Sequence, residues 1–229
     1  MLRQECMRLL RTKSNDSELN KGFTLVELIV SIAIFAIVAA AIIAFFRVAM
    51  TQYKTNTNEV NIQTESQMTW KRIESNVLIA TNGVWTPSSS RIDLYNYNSD
   101  AEHKKTVTSI YYSDDTSKHT VYYQEYYIDE NNNMVAIGEQ QKFANLVTAF
   151  EIKIYDKDGN VIDGSGNLID KDGNVVGVLT SGTRPYKVSA HIEYDANGRT
   201  YTSDNTVAIR NTIVASDNPT EIYASTVEE

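Results

Sequence analysis

The sequence has little cysteine, proline or basic charge, and each shortage narrows the possible functions. The only cysteine is Cys6, so no disulfide, thiol nucleophile or cysteine metal site can form beyond it. None of the three prolines lies between Phe23 and Ala80, so nothing local demands a sharp kink in that stretch.

The charge balance is acidic and its distribution is uneven. The chain has 21 Lys and Arg against 29 Asp and Glu, a formal net charge of −8. Residues 1–22 carry a net charge of +2, which leaves −10 on the remainder. Non-specific nucleic-acid binding depends on Lys and Arg to neutralise phosphates, so no nucleic-acid partner is expected.

One long apolar run dominates the N-terminal part of the chain. At ~1.5 Å per residue, a helix over residues 23–46 would be about 36 Å long, enough to cross a ~30 Å hydrocarbon layer. Glu27 is its only charge. A carboxylate at that depth costs roughly 2.5–3.5 kcal/mol, which predicts a function and a charged partner from outside the helix.

Basic residues flank the apolar run asymmetrically. Five precede it, and only Arg47 and Lys54 closely follow it. The positive-inside rule therefore predicts a single-pass protein of the cytoplasmic membrane, with the N-terminus inside and the bulk of the chain outside.

The residues around Gly22 form a specific motif. Lys-Gly-Phe-Thr-Leu-Val-Glu-Leu-Ile-Val-Ser, from Lys21 to Ser31, resembles the processing site of type IV pilins and type II secretion pseudopilins. The resemblance implies that residues 1–22 are a leader, that a prepilin peptidase cuts after Gly22, and that Phe23 becomes a methylated N-terminus. It also implies that Glu27 helps assembly.

The same resemblance implies partners and a location. The expected partners are the prepilin peptidase, other pilin or pseudopilin subunits, an assembly platform in the membrane and the lipid bilayer. The assembled product would be a cell-surface or periplasmic filament that serves secretion or adhesion. Many major pilins close a C-terminal loop with a disulfide, which this chain cannot do, so a minor subunit is favoured.

Two plainer interpretations compete with this one. A secretory signal has an apolar core of ~7–15 residues, whereas this run is longer and contains an acid. A generic membrane anchor explains the length but leaves Gly22 and Glu27 unexplained. A membrane-anchored adhesin or binding domain that does not polymerise is the alternative function.

Helical periodicity continues beyond the apolar run. The apolar steps favour an amphipathic half of the helix over residues 47–83, with Gly83 as a left-handed C′ residue. The positions predicted to share one face are Met50, Tyr53, Thr57, Val60, Thr64, Trp70, Ile73, Val77 and Ala80.

Residues 84–229 have the composition of a β-rich head. The predicted strands are Arg91–Tyr97, Thr106–Tyr112, His119–Ile128, Met134–Ile137, Leu146–Tyr155, Tyr186–Tyr194 and Arg199–Arg210. A long N-terminal helix packed on an antiparallel sheet predicts an α+β, pilin-like lollipop. The closing segment Thr206–Asn211 and the helical segment Trp70–Glu74 are similar to J-type minor pseudopilins.

Three consecutive heptads at residues 156–176 form an internal repeat. One interpretation is an arm of tight turns inserted between two strands. The other is a calcium site with oxygen ligands, although the spacing fails the EF-hand pattern. The candidate ligands are Asp156, Asp158, Asp170 and Asp172.

Catalytic motifs are weak, and neither an enzyme nor a cofactor is predicted. The glycine spacing of residues 177–183 resembles a phosphate-binding loop but has Thr183 where lysine is needed. The neighbouring acids Asp114 and Asp115 are predicted to be solvated turn residues. The three histidines are isolated in sequence and are predicted to lie at the surface: His103, His119 and His191.

Overall fold

The computed structural model describes residues 22–113, 115, 118–180, 183–196 and 198–224. The predicted leader, apart from Gly22, lies outside this part of the chain, as does Asp114. The chain divides into two compact units, Met1–Thr55 and Asn56–Glu229.

The described chain consists of a long helix, two six-stranded sheets and a short C-terminal helix, which confirms the α+β class. In chain order the elements are α1 (Leu25–Ile79), β1 (Gly83–Ser88), β2 (Arg91–Tyr97), β3 (Lys105–Tyr112), β4 (Val121–Ile128), β5 (Met134–Ala144), β6 (Val147–Tyr155), β7 (Val161–Ile162), β8 (Asn167–Ile169), β9 (Val175–Val178), β10 (Lys187–Ala196), β11 (Arg199–Ala208), β12 (Val214–Ala215) and α2 (Pro219–Ala224).

The first unit contains the apolar half of α1, whose side chains are exposed. Helix α1 is 55 residues long and contains no proline, which agrees with the predicted long helix. The helix ends at Ile79, however, and the prediction that Gly83 is a left-handed C′ residue is wrong. Gly83 does not have a positive φ and instead begins β1.

Two sheets make up most of the second unit. The first has the order β12-β1-β2-β3-β4-β5, and only its β12–β1 pair is parallel. The second has the order β11-β10-β6-β7-β8-β9 and is antiparallel throughout. The sequence predicted β2 to β6, β10 and β11 as strands, but β1, β12 and α2 were missed, and β7 to β9 lie in the segment predicted as an arm of tight turns.

The core of the second unit lies between the C-terminal half of α1 and the sheets. Ile73, Val77 and Ala80 are fully buried, as their spacing predicted. Val60, predicted on the same face, is 59% exposed, whereas Ile62 is buried instead. The helix therefore contacts the core only from Ile62 onward, so the contact face begins later along the helix than predicted.

The alternating pattern predicted for Tyr186–Tyr194 matches β10. Val188, Ala190, Ile192 and Tyr194 are buried, and the intervening side chains are not. Tyr186 differs, because it precedes the strand and is 57% exposed. One face of the second sheet thus packs on the core and the other meets solvent.

The heptad repeat forms an arm of short antiparallel strands, β7 to β9, joined by tight turns. Each turn is built on an aspartate whose Oδ1 accepts two backbone N–H groups. Asp163 Oδ1 accepts from Ser165 at 2.9 Å and from Asn167 at 2.7 Å, and the Asn167 amide donates to Asp163 Oδ2. Asp156 and Asp170 repeat the pattern, as predicted for the arm of turns.

A fourth copy of this turn occurs outside the repeat. It connects β4 and β5, where Asp129 accepts from Asn131 and Asn133 in the same way. The residue at the fourth position has a positive φ in each copy: 62° for Asn132, and 80° to 88° for the three glycines. Only glycine and asparagine readily adopt that conformation, which explains their presence there.

Candidate functional site

The N-terminal candidate site is a helix start that contains Gly22, Phe23 and Glu27. Helix α1 begins at Leu25, and Thr24 caps it: its side-chain Oγ1 accepts the backbone N–H of Glu27 at 3.2 Å. The carbonyl oxygen of Thr24 accepts the N–H of Leu28 at 3.1 Å. The helical backbone therefore starts two residues after the predicted new N-terminus.

Glu27 lies in the first turn of α1, where the helix dipole favours a negative charge. Its backbone carbonyl accepts a hydrogen bond from Ser31 Oγ at 2.7 Å. The side chain is exposed, and within the described part of the chain no basic group forms an ion pair with it. A partner for this carboxylate must therefore come from the undescribed residues or from another molecule.

The side chains around Glu27 form a continuous apolar surface. Leu25, Val26 and Leu28 are 74%, 69% and 56% exposed, and Phe23 is 81% exposed. Large apolar side chains remain exposed as far as Met50. The segment is long and apolar enough to cross a membrane, and its side chains are not buried by the described part of the chain. Lipid or neighbouring helices can bury this surface.

Gly22 has no structural reason for its small size within the folded chain. A Cβ atom added to Gly22 would meet no atom within 4 Å. The absence of a side chain can instead serve a protease, which must bring the backbone close in an extended form.

Sequence reasoning missed the role of Thr24. The sequence did contain a usable signal, because Thr24 and Glu27 have the Thr-x-x-Glu spacing of a capping box. The cap satisfies one of the free N–H groups at the start of the helix. It thereby fixes the first turn, in which Glu27 lies.

The four predicted calcium ligands lie in the turns of the arm. Two of their carboxylates already accept hydrogen bonds within the turns, and the other two do not converge on a common point. Asp156 and Asp170 use their side-chain oxygens as acceptors for their own turns. Over the described ranges, no three acidic or histidine side chains converge on a common point that could hold a metal ion. Nothing in the geometry of Asp158 or Asp172 brings them to a shared site.

Hydrogen bonds also change the acidity of these turns. The backbone N–H of Asn174 and its side-chain amide hold the pKa of Asp170 below its usual value. Partial burial acts to raise the pKa of Asp163, but the hydrogen bonds from Asn167, Ser165 and Gly166 outweigh it and lower that pKa. The turns of Asp163 and Asp170 therefore favour the ionised aspartate over the protonated form.

The three histidines have different surroundings. His191 lies on the outer face of the second sheet, with Nδ1 2.6 Å from Asp204 Oδ1 and Nε2 3.4 Å from Glu193 Oε1. His103 stacks on Tyr127 with ring centroids 4.0 Å apart. His119 lies before β4 with a φ of 46°.

The described part of the second unit contains open clefts, two of which are formed by neighbouring elements named above. One, of about 480 Å³, lies between the arm and residues 183–186, and the other, of about 430 Å³, lies between α1 and strands β4 and β5. The residues that line them include Asp158 and Arg184 in the first, and Arg72 and Glu125 in the second. Neither lining includes a histidine or a cysteine among the described residues.

Comparison with known families supports the N-terminal site. A family model described as the prokaryotic N-terminal methylation motif matches residues 19–43, a segment that contains Gly22, Phe23 and Glu27. This match confirms the predicted N-terminal methylation motif and supports the resemblance to type IV pilins and pseudopilins. The helix that contains the motif is long and apolar enough to cross a membrane once. A search of curated proteins found no match to the chain.

Proposed function

We propose, from the methylation motif that the chain carries, that the protein is a minor pilin or pseudopilin, a structural subunit of a type IV pilus or a type II-like secretion filament. The observation that carries the proposal is the combination of an apolar helix that is exposed in the described structure and an acid, Glu27, that forms no ion pair there and lies four residues after Phe23. A J-type role within such a filament agrees with the residues of Trp70–Glu74.

The mechanism follows from charge and from apolar surface. The uncleaved chain lies in the cytoplasmic membrane with its basic leader inside and its β-rich part outside. The prepilin peptidase hydrolyses the peptide bond after Gly22, which frees a positively charged α-amine on Phe23. Transfer of a methyl group from a methyl donor to this amine leaves the positive charge in place. The Glu27 carboxylate of a neighbouring subunit then pairs with this amine.

Pairing in this way lowers the cost of burying both charges. An isolated carboxylate in hydrocarbon is costly, and an isolated ammonium group is equally so. When helices pack side by side, each amine and each carboxylate gains a partner of opposite charge. The exposed apolar side chains of α1 are covered by neighbouring helices in the same step.

The direct experiment is to shear filaments from cells that express the full chain together with its processing and assembly partners. A filament subunit is expected in the sheared fraction, with a sequence that begins at methylated Phe23. Recovery of the processed protein only with membranes would overturn the proposal. That result would favour an anchored adhesin that does not polymerise.

A further inference from the structure

The arm leaves an open apolar strand at one edge of the second sheet. Strand β9 is the last strand of that sheet, and within the described chain its backbone is hydrogen-bonded to β8 alone. Its three valines, Val175, Val176 and Val178, are 62%, 55% and 63% exposed. A strand in this state offers both backbone hydrogen-bonding groups and apolar side chains to another strand.

Natural proteins usually block such edges with proline, with charge or by distorting the strand. The Val-Val-Gly-Val sequence of β9 contains neither proline nor a charged residue. One distortion exists, a bulge where the pairing with β8 shifts between Leu168 and Ile169. The extra residue of the bulge is Val176 of β9, which lies between the paired Val175 and Gly177 and has no partner in β8, and the valines remain exposed.

The opposite edge of the same sheet is also open, but it is polar. Strand β11 pairs with β10 over its whole length and with no second strand in the described structure. Its exposed side chains alternate along the strand: Thr200, Thr202, Asp204, Thr206 and Ala208. Threonine is among the residues that favour strands, and the charged member of this set, Asp204, is held by His191 of β10 at 2.6 Å. Strand β11 is therefore suited to accept a further strand.

The directions of the two edges are complementary. Every neighbouring pair in this six-stranded sheet is antiparallel, so β9 and β11 run in opposite directions. If a second copy is moved sideways in the plane of the sheet, its β11 comes to lie antiparallel to β9 of the first. The antiparallel hydrogen-bonding pattern of the sheet then continues from one copy to the next, with the bulge at Val176 as its one irregular position.

The side-chain faces also match. Cross-strand partners place Val175 on the same face as Ile169, Val161 and Tyr155. The same pairing places Thr202 and Thr206 on that face of β11. Continuation of the sheet would therefore set valines of one molecule beside threonines of the next, a favourable cross-strand combination.

We propose that β9 of one molecule pairs with β11 of a second copy of this chain, so that the second sheet continues from head to tail. Such a contact uses two different surfaces and does not close on itself, so it can be repeated along a filament. It requires at least two adjacent copies. The inference depends only on the second unit and holds whether or not the proposed pairing of Glu27 is correct.

The test uses disulfide formation between full-length chains in membranes, in a Cys6→Ser and Gly22→Lys background that separates this contact from filament assembly. One chain carries Val175→Cys, and the other carries Thr202→Cys or Thr206→Cys. The control partner is Lys153→Cys, which lies on the same face but in the middle of the sheet. Mild oxidation is expected to link Val175→Cys to one of the β11 positions about tenfold more than to the control, because pairing raises the effective concentration of the two thiols.

An edge-blocking substitution makes the test specific. Val178→Lys, added to the Val175→Cys chain, is expected to lower the linked fraction to the level of the control. Linking no stronger than the control overturns the proposal. Linking of Val175→Cys only to itself also overturns it, because that result indicates a two-fold contact between β9 strands.

Discussion

Gly83 lies directly against Ile222: a Cβ atom built on Gly83 would fall 2.7 Å from Ile222 Cγ2 and 3.1 Å from the carbonyl oxygen of Val214. Ile222 is fully buried. The glycine therefore allows α2 to approach the first strand of the sheet. Close approach, and not a left-handed conformation, explains why glycine occupies this position.

The first prediction concerns this contact. Gly83→Ala is expected to lower the free energy of unfolding by about 1–3 kcal/mol, because overpacking forces the backbone and Ile222 apart. Urea unfolding of the full chain in detergent, followed by the fluorescence of its two tryptophans, Trp70 and Trp85, measures the change. Gly177→Ala is the matched control, since a Cβ there makes only an ordinary contact at 3.5 Å. Equal stability of the two variants would contradict the prediction.

The second prediction concerns the turns of the arm. Asp163→Ala removes the acceptor of three hydrogen bonds and is expected to destabilise the arm by about 1–2 kcal/mol. Ser165→Ala keeps the backbone N–H that Asp163 accepts, so it should change little. Hydrogen exchange of the Asn167 amide reports on the turn itself.

The acidity of Asp163 adds a pH dependence with a defined sign. Its folded pKa is lowered, so its contribution is present above the unfolded pKa of about 3.9 and is lost as the pH falls through the folded value. The protection factor of the Asn167 amide, its exchange relative to the intrinsic rate at each pH, should therefore fall in acid in the native protein. In Asp163→Ala the protection factor should already be low and show no such acid step. Strong protection of Asn167 in that variant would count against the role assigned to the carboxylate.

The third prediction concerns His191. The hydrogen bond to Asp204 raises the pKa of His191 against the small opposing effect of burial, and Glu193 adds to the increase. Protonated His191 thus stabilises the sheet fully below the unfolded pKa of about 6.5, and the contribution is lost as the pH rises through the folded value. Because the pair is exposed, the effect on stability should be small.

An NMR titration of the imidazole protons measures this pKa directly. Asp204→Asn should lower the pKa of His191 towards its ordinary value. Glu139→Gln, which removes a carboxylate from the other sheet, should leave it unchanged. If Asp204→Asn had no effect, the short Nδ1 contact would not be the cause of the increase.

Local and long-range contacts explain which features could be predicted from sequence. The Gly22–Glu27 motif and the alternation of β10 are local patterns, so they were readable in the chain. Strand β1 was missed because residues 83–86 are all buried, which leaves no alternation. Helix α2 was missed because six residues form a stable helix only when Ile222 and Tyr223 are buried against distant strands.

The fourth prediction concerns processing at Gly22. Gly22→Lys is expected to leave the chain uncleaved, since a long side chain obstructs the extended backbone that a peptidase must bind. A Cβ at this position meets no atom of the chain itself, so the substitution should not disturb the fold. Mass spectrometry of the membrane-bound protein distinguishes the intact chain from one that begins at methylated Phe23. Asn20→Lys adds the same charge two positions earlier and should still be processed.

The fifth prediction concerns Glu27 after cleavage. Glu27→Ala should leave processing intact but reduce assembly, because the new α-amine of Phe23 then has no carboxylate to pair with in the helical core. The fraction of methylated subunit in sheared filaments measures the loss.

Glu27→Gln keeps the size and the hydrogen-bonding capacity of the side chain and removes only the charge. It should therefore reduce assembly to the same extent as Glu27→Ala if charge pairing drives assembly. Ser31→Ala, one turn along the same helix, removes only a hydrogen bond to the Glu27 carbonyl and should assemble normally. Assembly of the glutamine variant at the native level would mean that the side chain acts through its shape, and that the amine of Phe23 finds its partner elsewhere.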